Sequence, residues 1–350
     1  MTGVAEPAAS RVGEKARMRC VVYNGHGGPE VVTVQDREAP RPGRFEVLIA
    51  PVFAGLNPAD VLQREGRHPV PAGSPVDVPG LEVAGTVVEL GDAVSAHELG
   101  DRVFGLVGGG GLAQRVVAHE REVVPVPDVL DDTEAAGTPE AFVTAFDALC
   151  CQAGLGAGDT LLVNGAGGGV GTAAVQLGAA LGARVIASVR SDTVRPRVAG
   201  LGVEALAVHD AFARVRELGG ADVILELVGA PHMERNLEAL APLGRIVVVA
   251  AKPGDEATIS LRDLMARRGR LLGTTLRTRP AEQKGALMQA FSKRVVPLLA
   301  RSAVRPIVDR VFALDEAVQA LDAVRQPGKF GKLLLAVDPD APAMASARAC

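Results

Sequence analysis

The amino-acid sequence predicts an α/β protein of two domains, in which a β-rich domain accompanies a doubly wound parallel sheet. The 350 residues are 48% apolar, which is enough to bury more than one hydrophobic core. From about residue 18 to 120, short valine-rich segments are separated by glycine and proline, a pattern typical of twisted strands. From about 138 to 277, apolar runs alternate with helical segments, which indicates a parallel sheet covered on both faces.

The β-rich part contains short predicted strands that lie between glycine and proline residues. They are CVVYNG (20–25), EVLIAPVFAG (46–55), LEVAGTVVEL (81–90), DRVFGLV (101–107) and AQRVVAHE (113–120). The second part has longer apolar runs, predicted as strands buried on both faces: DTLLVNGA (159–166), ARVIASV (183–189), ADVILELVG (221–229) and GRIVVVAA (244–251).

Predicted helices separate these buried strands: GVGTAAVQLGAALG (169–182), VRPRVAGLG (194–202) and HMERNLEALAPLG (232–244). After Pro280 we expect a helix over 281–300, a strand over 308–312, a helix with Asp315 as its N-cap, and a last strand over 332–337. These last elements can return to the β-rich part.

The composition argues against several classes of function. A net charge of −4 and the absence of tryptophan predict no nucleic-acid partner and no attraction to an anionic membrane. The four cysteines form no C-x-x-C pair, so neither a disulfide framework nor a structural zinc site is expected. We also expect no membrane span, no secretory signal, a cytoplasmic location, and disordered tails at 1–17 and 338–350.

The most informative stretch is LLVNGAGGGVGTAAVQLG (161–178). A buried strand runs into a cluster of glycines and then directly into a helix, so bare backbone N–H groups and the helix N-terminus can bind a pyrophosphate. A glycine-rich turn alone can be purely structural. The strand before it, the helix after it and a second strand ending about twenty residues later favour a dinucleotide site.

The tip of that second strand indicates which dinucleotide binds. An NAD site usually has Asp or Glu there, whereas this chain has Ser188, Val189, Arg190 and Ser191. Arg190 and Ser191, with Arg195 or Arg197 nearby, could bind the additional 2′-phosphate of NADPH. The alternative is that Arg190 is an ordinary surface residue. We interpret Asp192 as the start of the next helix, where a carboxylate is favourable.

From about Met18 to Val337 the sequence resembles the zinc-independent quinone oxidoreductase branch of the medium-chain dehydrogenase/reductase superfamily. The resemblance is carried by GHGGPEVVTV (25–34), LNPADVLQREG (56–66), VPGLEVAGTVVELG (78–91), PEAFVTAFDAL (139–149), NGAGGGVGTAAVQLGAALGA (164–183), RIVVVAA (245–251) and GKFGKLLL (328–335). It implies a GroES-like β-barrel catalytic domain made of 18–138 and 278–337, and a Rossmann NADP(H)-binding domain at 139–277.

The resemblance also implies that no metal is bound. Zinc-dependent relatives have Cys at the position of Asn57 and His at the position of Leu81. Leucine cannot bind zinc, and asparagine is a poor ligand beside thiolate or imidazole.

By the same resemblance, the family's functional positions fall on identifiable residues. The catalytic set would be Asn57 and Thr144, together with His68, which stands in the substrate loop where relatives often have an aromatic residue and would be a proton donor in competition with solvent. The cofactor contacts would be Asn57 and Thr144 at the nicotinamide, Gly165, Ala166, Gly167, Gly168, Gly169, Val170 and Gly171 at the pyrophosphate, Ser188, Arg190, Ser191 and His209 at the adenosine end, and Val228, Gly229, Ala250, Ala251, Leu276 and Lys332 along the rest of the cofactor. His209 stands where relatives often have tyrosine.

The expected function is reduction of quinones by NADPH through hydride transfer without metal. An NADPH-dependent reductase of enone, alkenal or enoyl-thioester double bonds is an alternative. A nucleotide-dependent RNA-binding or structural protein is an alternative of another class. Relatives form dimers through the edges of their sheets, and GRLLGTTL (269–276) is a suitable edge strand, so a homodimer is expected.

Overall fold

The structure is a computed structural model that describes residues 16–250, 254 and 256–341. Its strands are β1 (Arg17–Tyr23), β2 (Val32–Glu38), β3 (Glu46–Pro51), β4 (Phe53–Leu56), β5 (Glu82–Leu90), β6 (Arg102–Leu106), β7 (Val116–His119), β8 (Val123–Pro125), β9 (Thr160–Asn164), β10 (Arg184–Ser188), β11 (Glu204–Leu206), β12 (Ala221–Glu226), β13 (Leu240–Val248), β14 (Arg270–Gly273), β15 (Val308–Ala313) and β16 (Lys332–Ala336). Its α-helices are α1 (Pro58–Arg64), α2 (Asp132–Ala136), α3 (Pro139–Phe146), α4 (Gly169–Ala180), α5 (Arg195–Ala199), α6 (Val208–Glu217), α7 (Met233–Ala239), α8 (Leu261–Ala266), α9 (Ala281–Arg294), α10 (Val296–Ala300) and α11 (Ala317–Ala323).

Both ends of the chain build the β-rich domain. Among the described residues, an antiparallel sheet has the strand order β7-β3-β5-β6-β8, and β1 pairs with β2. Near the C-terminus, β16 pairs antiparallel with β4, with Leu334 opposite Gly55, and β15 lies parallel to β16. This return of the C-terminal strands was expected from the resemblance to a GroES-like domain.

The second domain is a parallel sheet with the strand order β11-β10-β9-β12-β13-β14. On its central strand β9, Leu161 and Val163 pack into the core on the side of α4, whereas Leu162 packs into the core on the side of α6 and α7. All three side chains are fully buried. Because both faces are covered, the strand needs no polar positions, which explains the continuous apolar run in the sequence.

Helix α9 joins the two domains. Its Phe291 is fully buried, and its ring meets Phe104 of β6 and Phe146 of α3 edge to face, at centroid distances of 6.2 and 6.0 Å. These aromatic contacts make the hydrophobic core continuous between the sheets. The candidate site lies where the two domains meet, which is called the cleft below. It is therefore bordered by a continuous hydrophobic core.

Some local expectations were wrong. The helix expected over 281–300 breaks at Val295, because Pro297 has no N–H to continue the ladder. Asp315 is not an α-helix N-cap, since it lies in a 3₁₀ turn at Leu314–Glu316 and α11 begins at Ala317. The sequence analysis also gave no sign that α3 continues into a π-turn over Asp147–Gln152.

The expected tails fall mostly on residues 1–15 and 342–350, which lie outside the described residues. β1 begins at Arg17, and the N–H groups of Val337 and Asp338 donate to the carbonyl of Val52. The domain limits given above remain predictions. In the described part of the chain, no helix has both the length and the apolar character needed to cross a membrane.

Candidate active site

The glycine-rich turn lies between β9 and α4, as the sequence predicts. Gly165 has φ +78°, a left-handed conformation that L side chains rarely adopt, and it lets the chain turn sharply at the end of β9. Gly168 then caps the 12-residue helix α4. The turn is held from the other domain, because the N–H of Gly331 donates to the carbonyl of Gly167 at 2.9 Å.

A buried polar network holds the strand ends beside this turn. The carboxylate of Glu226 accepts hydrogen bonds from the backbone N–H groups of Val228 and Gly229 at 2.6 and 2.7 Å. It also accepts from the side-chain amides of Asn164 and Asn236, at 2.8 and 2.7 Å. Burial alone would raise the pKa of Glu226, but hydrogen bonds from its neighbours outweigh it and keep the pKa low. The ionised network therefore sets the backbone at Val228 and Gly229.

The expected adenosine end lies at the tip of β10. Ser188 is fully buried, and its Oγ has no hydrogen-bond partner among the described residues. Arg190 is exposed and Ser191 is partly buried. Asp192 forms an ion pair with Arg195, consistent with the interpretation that this acid lies past the strand tip. A buried hydroxyl without a partner beside an exposed arginine is consistent with a polar ligand at this position.

Lys329 is a cation at this end that the sequence analysis missed. Its pKa is lowered, first by burial and then by like charge from Arg190, while Asp309 acts in the opposite direction. The ammonium of Lys329 donates to the carbonyl of Val324 at 2.7 Å, and the like charge of Arg190 acts on it, so a phosphate bound at this end would reduce the repulsion between the two cations. The lysine stands in the GKFGK segment, which is joined to the glycine turn by the hydrogen bond from Gly331 to Gly167.

His209 was expected in a strand, at the position of the relatives' tyrosine. It lies instead in the first turn of α6, with its side chain 83% exposed and 3.3 Å from Asp210. Strand β11 ends earlier, at Leu206, which moves this position onto the helix. His209 is thus an exposed residue on a helix, and its contact with the adenosine end of the cofactor stays a prediction.

Asn57 and Lys332 meet at the centre of the cleft. The ammonium of Lys332 donates to Asn57 Oδ1 at 2.6 Å, to Glu82 Oε1 at 2.5 Å and to the carbonyl of Leu56 at 3.1 Å. Asn57 Nδ2 donates to the same Glu82 oxygen at 2.8 Å. Lys332, Glu82 and Asn57 are 5%, 1% and 6% exposed, so this is a buried and well-bonded ion pair.

The stem of Lys332 locates this centre relative to the glycine turn. A Cβ built on Gly169 would lie 2.7 Å from Lys332 Cδ, so the lysine passes directly beneath the start of α4. Lys332 was expected to contact the cofactor. Its ammonium is bonded to protein oxygens, which holds Asn57 in a fixed orientation, and the expected contact of Lys332 with the cofactor stays a prediction.

Glu140 and Thr144 lie on α3 beside this centre. The N–H of Glu140 donates to Glu82 Oε2 at 2.9 Å, and the Thr144 hydroxyl lies 3.5 Å from Glu140 Oε1. Burial, followed by the charge of Glu82, raises the pKa of Glu140 to about 8. Burial also raises the pKa of Asp60, which accepts from the Asn57 N–H, to about 6. At neutral pH the cleft therefore contains one carboxyl group that is mostly protonated.

Zinc does not fit this donor set. Leu81 is buried and offers no ligand atom, and the cation of Lys332 already occupies the oxygens of Asn57 and Glu82. A divalent ion would have to displace that ammonium or be repelled by it. The described residues contain no group of three or more His, Cys, Asp or Glu side chains that could hold a metal ion.

His68 and Leu276 are linked to the candidate site through Arg277, which acts on His68 by its charge and directly follows Leu276. His68 is partly buried, and its pKa is lowered first by that burial and then by the charge of Arg277. Leu276 is 5% exposed and directly precedes Arg277. Of the remaining expected contacts, Ala250 is partly buried after the end of β13, and Ala251 lies outside the described residues.

Comparisons with known proteins agree with this architecture. The chain matches a family model described as "Alcohol dehydrogenase GroES-like domain" over residues 43–128, and one described as "Zinc-binding dehydrogenase" over residues 169–293. It is 31% identical to the quinone oxidoreductase of Rattus norvegicus over 327 residues, which cover 91% of this chain and 97% of the relative. The chain belongs to the quinone oxidoreductase branch of the medium-chain dehydrogenase/reductase superfamily.

Solved structures of this superfamily have the same fold. A quinone oxidoreductase from Pseudomonas syringae pv. Tomato DC3000 aligns with a TM-score of 0.81 and 26% identity, over 91% of this chain and 99% of that one. The human synaptic vesicle membrane protein VAT-1 homolog-like protein aligns with a TM-score of 0.79 and 28% identity, over 92% and 98%. These matches confirm the predicted fold class and branch, and an oxidoreductase that uses a pyridine nucleotide follows from them.

Proposed function

We propose that this quinone oxidoreductase relative reduces quinones with NADPH, without a metal ion. The observation that carries the proposal is the buried ammonium of Lys332, bonded to Asn57 and Glu82 where a zinc-dependent relative would hold its metal. Without a metal there is no Lewis acid to activate an alcohol, so an acceptor that is already electrophilic is favoured. When bound, the reduced nicotinamide supplies the hydride.

The cofactor choice is supported at the tip of β10. Arg190 and Lys329 repel each other there, Ser191 is adjacent, and no acidic side chain stands at the tip itself. Two cations that gain from a shared dianion would favour a 2′-phosphate over a hydroxyl. The glycine turn and the N-terminus of α4 would bind the pyrophosphate.

The chain's own residues would position the reactants and move a proton. Both polar atoms of Asn57 are bonded, which leaves one N–H of Nδ2 for the nicotinamide or the acceptor. Thr144, held near Glu140, would be the second polar contact. His68 or solvent would protonate the reduced acceptor.

A panel of acceptors tests the proposal. Purified protein would be assayed for NADPH and NADH oxidation with ortho- and para-quinones, with an enone and with an enoyl thioester, and product mass would show whether a double bond was saturated. We expect quinone turnover with a preference for NADPH. Turnover of the double-bond substrates alone would replace the proposal with the reductase alternative. No turnover, together with a gel shift of RNA, would favour a binding protein.

A further inference from the structure

Arg277 is a buried cation that has no role in the chemistry proposed above. Its side chain is 5% exposed, and it forms no ion pair with a carboxylate of the described residues. Nε donates to the carbonyl of Gly108 at 3.0 Å, and Nη2 donates to Gln63 Oε1 at 2.6 Å. Nη1 is buried and has no hydrogen-bond partner in the described part of the chain. A buried guanidinium nitrogen without an acceptor is costly, so this feature calls for a ligand.

The surroundings of Arg277 place it at the mouth of the cleft. The segment follows β14, which ends at Gly273 on the carboxyl edge of the parallel sheet, the edge at which open α/β sheets bind ligands. Both of its hydrogen-bond partners belong to the β-rich domain. Gly108 is packed so closely that a Cβ there would lie 2.1 Å from Ser74 Oγ, in the loop that follows His68.

The charges around Arg277 also point to the reacting centre. Burial lowers the pKa of Arg277, while the carboxyl groups of Asp60 and Glu140 raise it. Both of these groups lie at the Asn57 centre described above, and His68 lies within the electrostatic reach of Arg277 on the other side. Arg277 therefore acts electrostatically on both the Asn57 centre and the expected proton donor.

We propose that Arg277 is a catalytic residue whose Nη1 binds the carbonyl oxygen of the acceptor and stabilises the negative charge formed there. The inference deepens the proposed function and rests on it for the hydride donor. When NADPH transfers a hydride, a quinone becomes a hydroquinone monoanion and a conjugated enone becomes an enolate, while NADP⁺ is released. A proton from His68 or water then completes the hydroquinone, or the saturated ketone by addition at the α-carbon. The substrate class is thus a carbonyl compound whose oxygen becomes anionic on reduction.

A phenolate tests this site without turnover. 4-Nitrophenol would be titrated against the protein saturated with NADP⁺, and absorbance would report the bound phenolate. We expect Arg277→Met to weaken phenolate binding about tenfold to a hundredfold, since it removes a hydrogen bond between charged groups. The matched control is Arg267→Met. The guanidinium of Arg267 also donates to backbone carbonyls, those of Glu238 and Leu240, but it lies at the opposite edge of the sheet from Arg277. That variant should bind phenolate like the wild type.

Gln63→Glu provides a second variant that keeps the arginine. The new carboxylate is nearly isosteric and would neutralise Arg277 through the existing Nη2 contact. It should also weaken phenolate binding, which keeps the inference testable if Arg277→Met does not fold. NADPH binding, measured by fluorescence, should change less than twofold in both variants, whereas kcat for a quinone should fall.

The outcomes separate the inference from the proposed function. Phenolate binding that is equally tight in Arg277→Met and wild type would overturn the inference, and so would an equal loss in Arg267→Met. If the wild type turns over no quinone or enone but its phenolate binding still depends on Arg277, the proposed function is wrong. The inference that Arg277 binds an anionic oxygen would then still hold.

Discussion

At the scale of single residues, the site depends on one buried ammonium. Lys332 neutralises Glu82 and holds the amide of Asn57 through a pair that water does not reach. Such a pair contributes little net stability while intact, but the loss of one partner leaves a buried charge uncompensated. Lys332→Met should therefore lower the free energy of unfolding by about 3–5 kcal/mol.

The double variant Lys332→Met/Glu82→Gln should recover much of that loss, because no buried charge then remains in the pair. Urea unfolding of the four proteins in the cycle measures the coupling. Additive effects of the two substitutions would show that the two side chains do not stabilise each other.

Cofactor choice is also decided at the residue scale. Arg190→Ala should weaken NADPH binding about 10- to 100-fold, because it removes charge-assisted bonds to the 2′-phosphate, and should barely change NADH binding. Arg214→Ala is the control, since Arg214 on α6 is paired with Glu204 and is not among the expected cofactor contacts. Dissociation constants for both cofactors, measured by fluorescence titration, provide the check, and equal losses for NADPH and NADH would contradict this assignment of Arg190.

The sequence could identify residues that belong to a local motif, and it missed those that meet only in the fold. Asn57 and Lys332 lie in two of the segments that carry the family resemblance. Their contact joins residues 275 positions apart, so no local spacing in the sequence predicts it. Arg277 is one of two arginines in LRTRP, and only its buried Nη1 without an acceptor distinguishes it. His209 shows that element ends can shift a carried-over position, because it lies in the first turn of α6 after β11 has ended, while its contact with the cofactor stays a prediction.

At the scale of elements, α3 places a carboxyl group where it is costly to ionise. Glu140 has a raised pKa of about 8, so the native state keeps a proton that the unfolded chain loses near its ordinary value. The stability that comes from this retained proton is therefore fully present at low pH and is lost as pH rises towards 8. Between about pH 6 and 8, stability should fall by at most about 1.4 kcal/mol per pH unit.

Glu140→Gln should remove most of this slope, because glutamine does not titrate. Asp60 titrates near pH 6 and remains in both proteins, so the comparison above pH 6 isolates Glu140. Urea midpoints at several pH values measure the effect. Parallel pH profiles for the two proteins would show that Glu140 is ionised throughout this range.

Element types were more predictable than their ends. Buried strands such as β9 are recognisable by apolar runs, here Leu161 to Val163, because both faces of the sheet are covered. The break between α9 and α10 could have been predicted from Pro297, which cannot donate to the helix ladder. The π-turn after α3 could not, since no residue type in DALCCQ requires it.

At the scale of the whole molecule, the parallel sheet ends on an exposed strand. β14 is an edge of the six strands ordered above, and apolar side chains are exposed on and beside it: Leu243, Leu261, Met265 and Leu271. An open edge with exposed apolar groups favours pairing with a second copy. We expect a homodimer, and Leu271→Arg together with Met265→Glu should shift it to monomer in light scattering. A 36.0 kDa wild-type species at working concentration would contradict this expectation.

In the proposed function, the acceptor would bind between the two domains beside His68 and Arg277, so the reaction class can be tested through these two residues. The charge of Arg277 helps to lower the pKa of His68, so a rate that depends on protonated His68 should fall as pH rises through a value below the ordinary one. His68→Ala should lower the rate roughly 10²-fold and remove that fall at higher pH, whereas Arg277→Met should shift the fall to higher pH because a repelling charge is gone. Rates against pH for the three proteins test both effects. An unchanged profile in His68→Ala would assign protonation to water, and vigorous oxidation of simple alcohols by the wild type would contradict reduction without a metal.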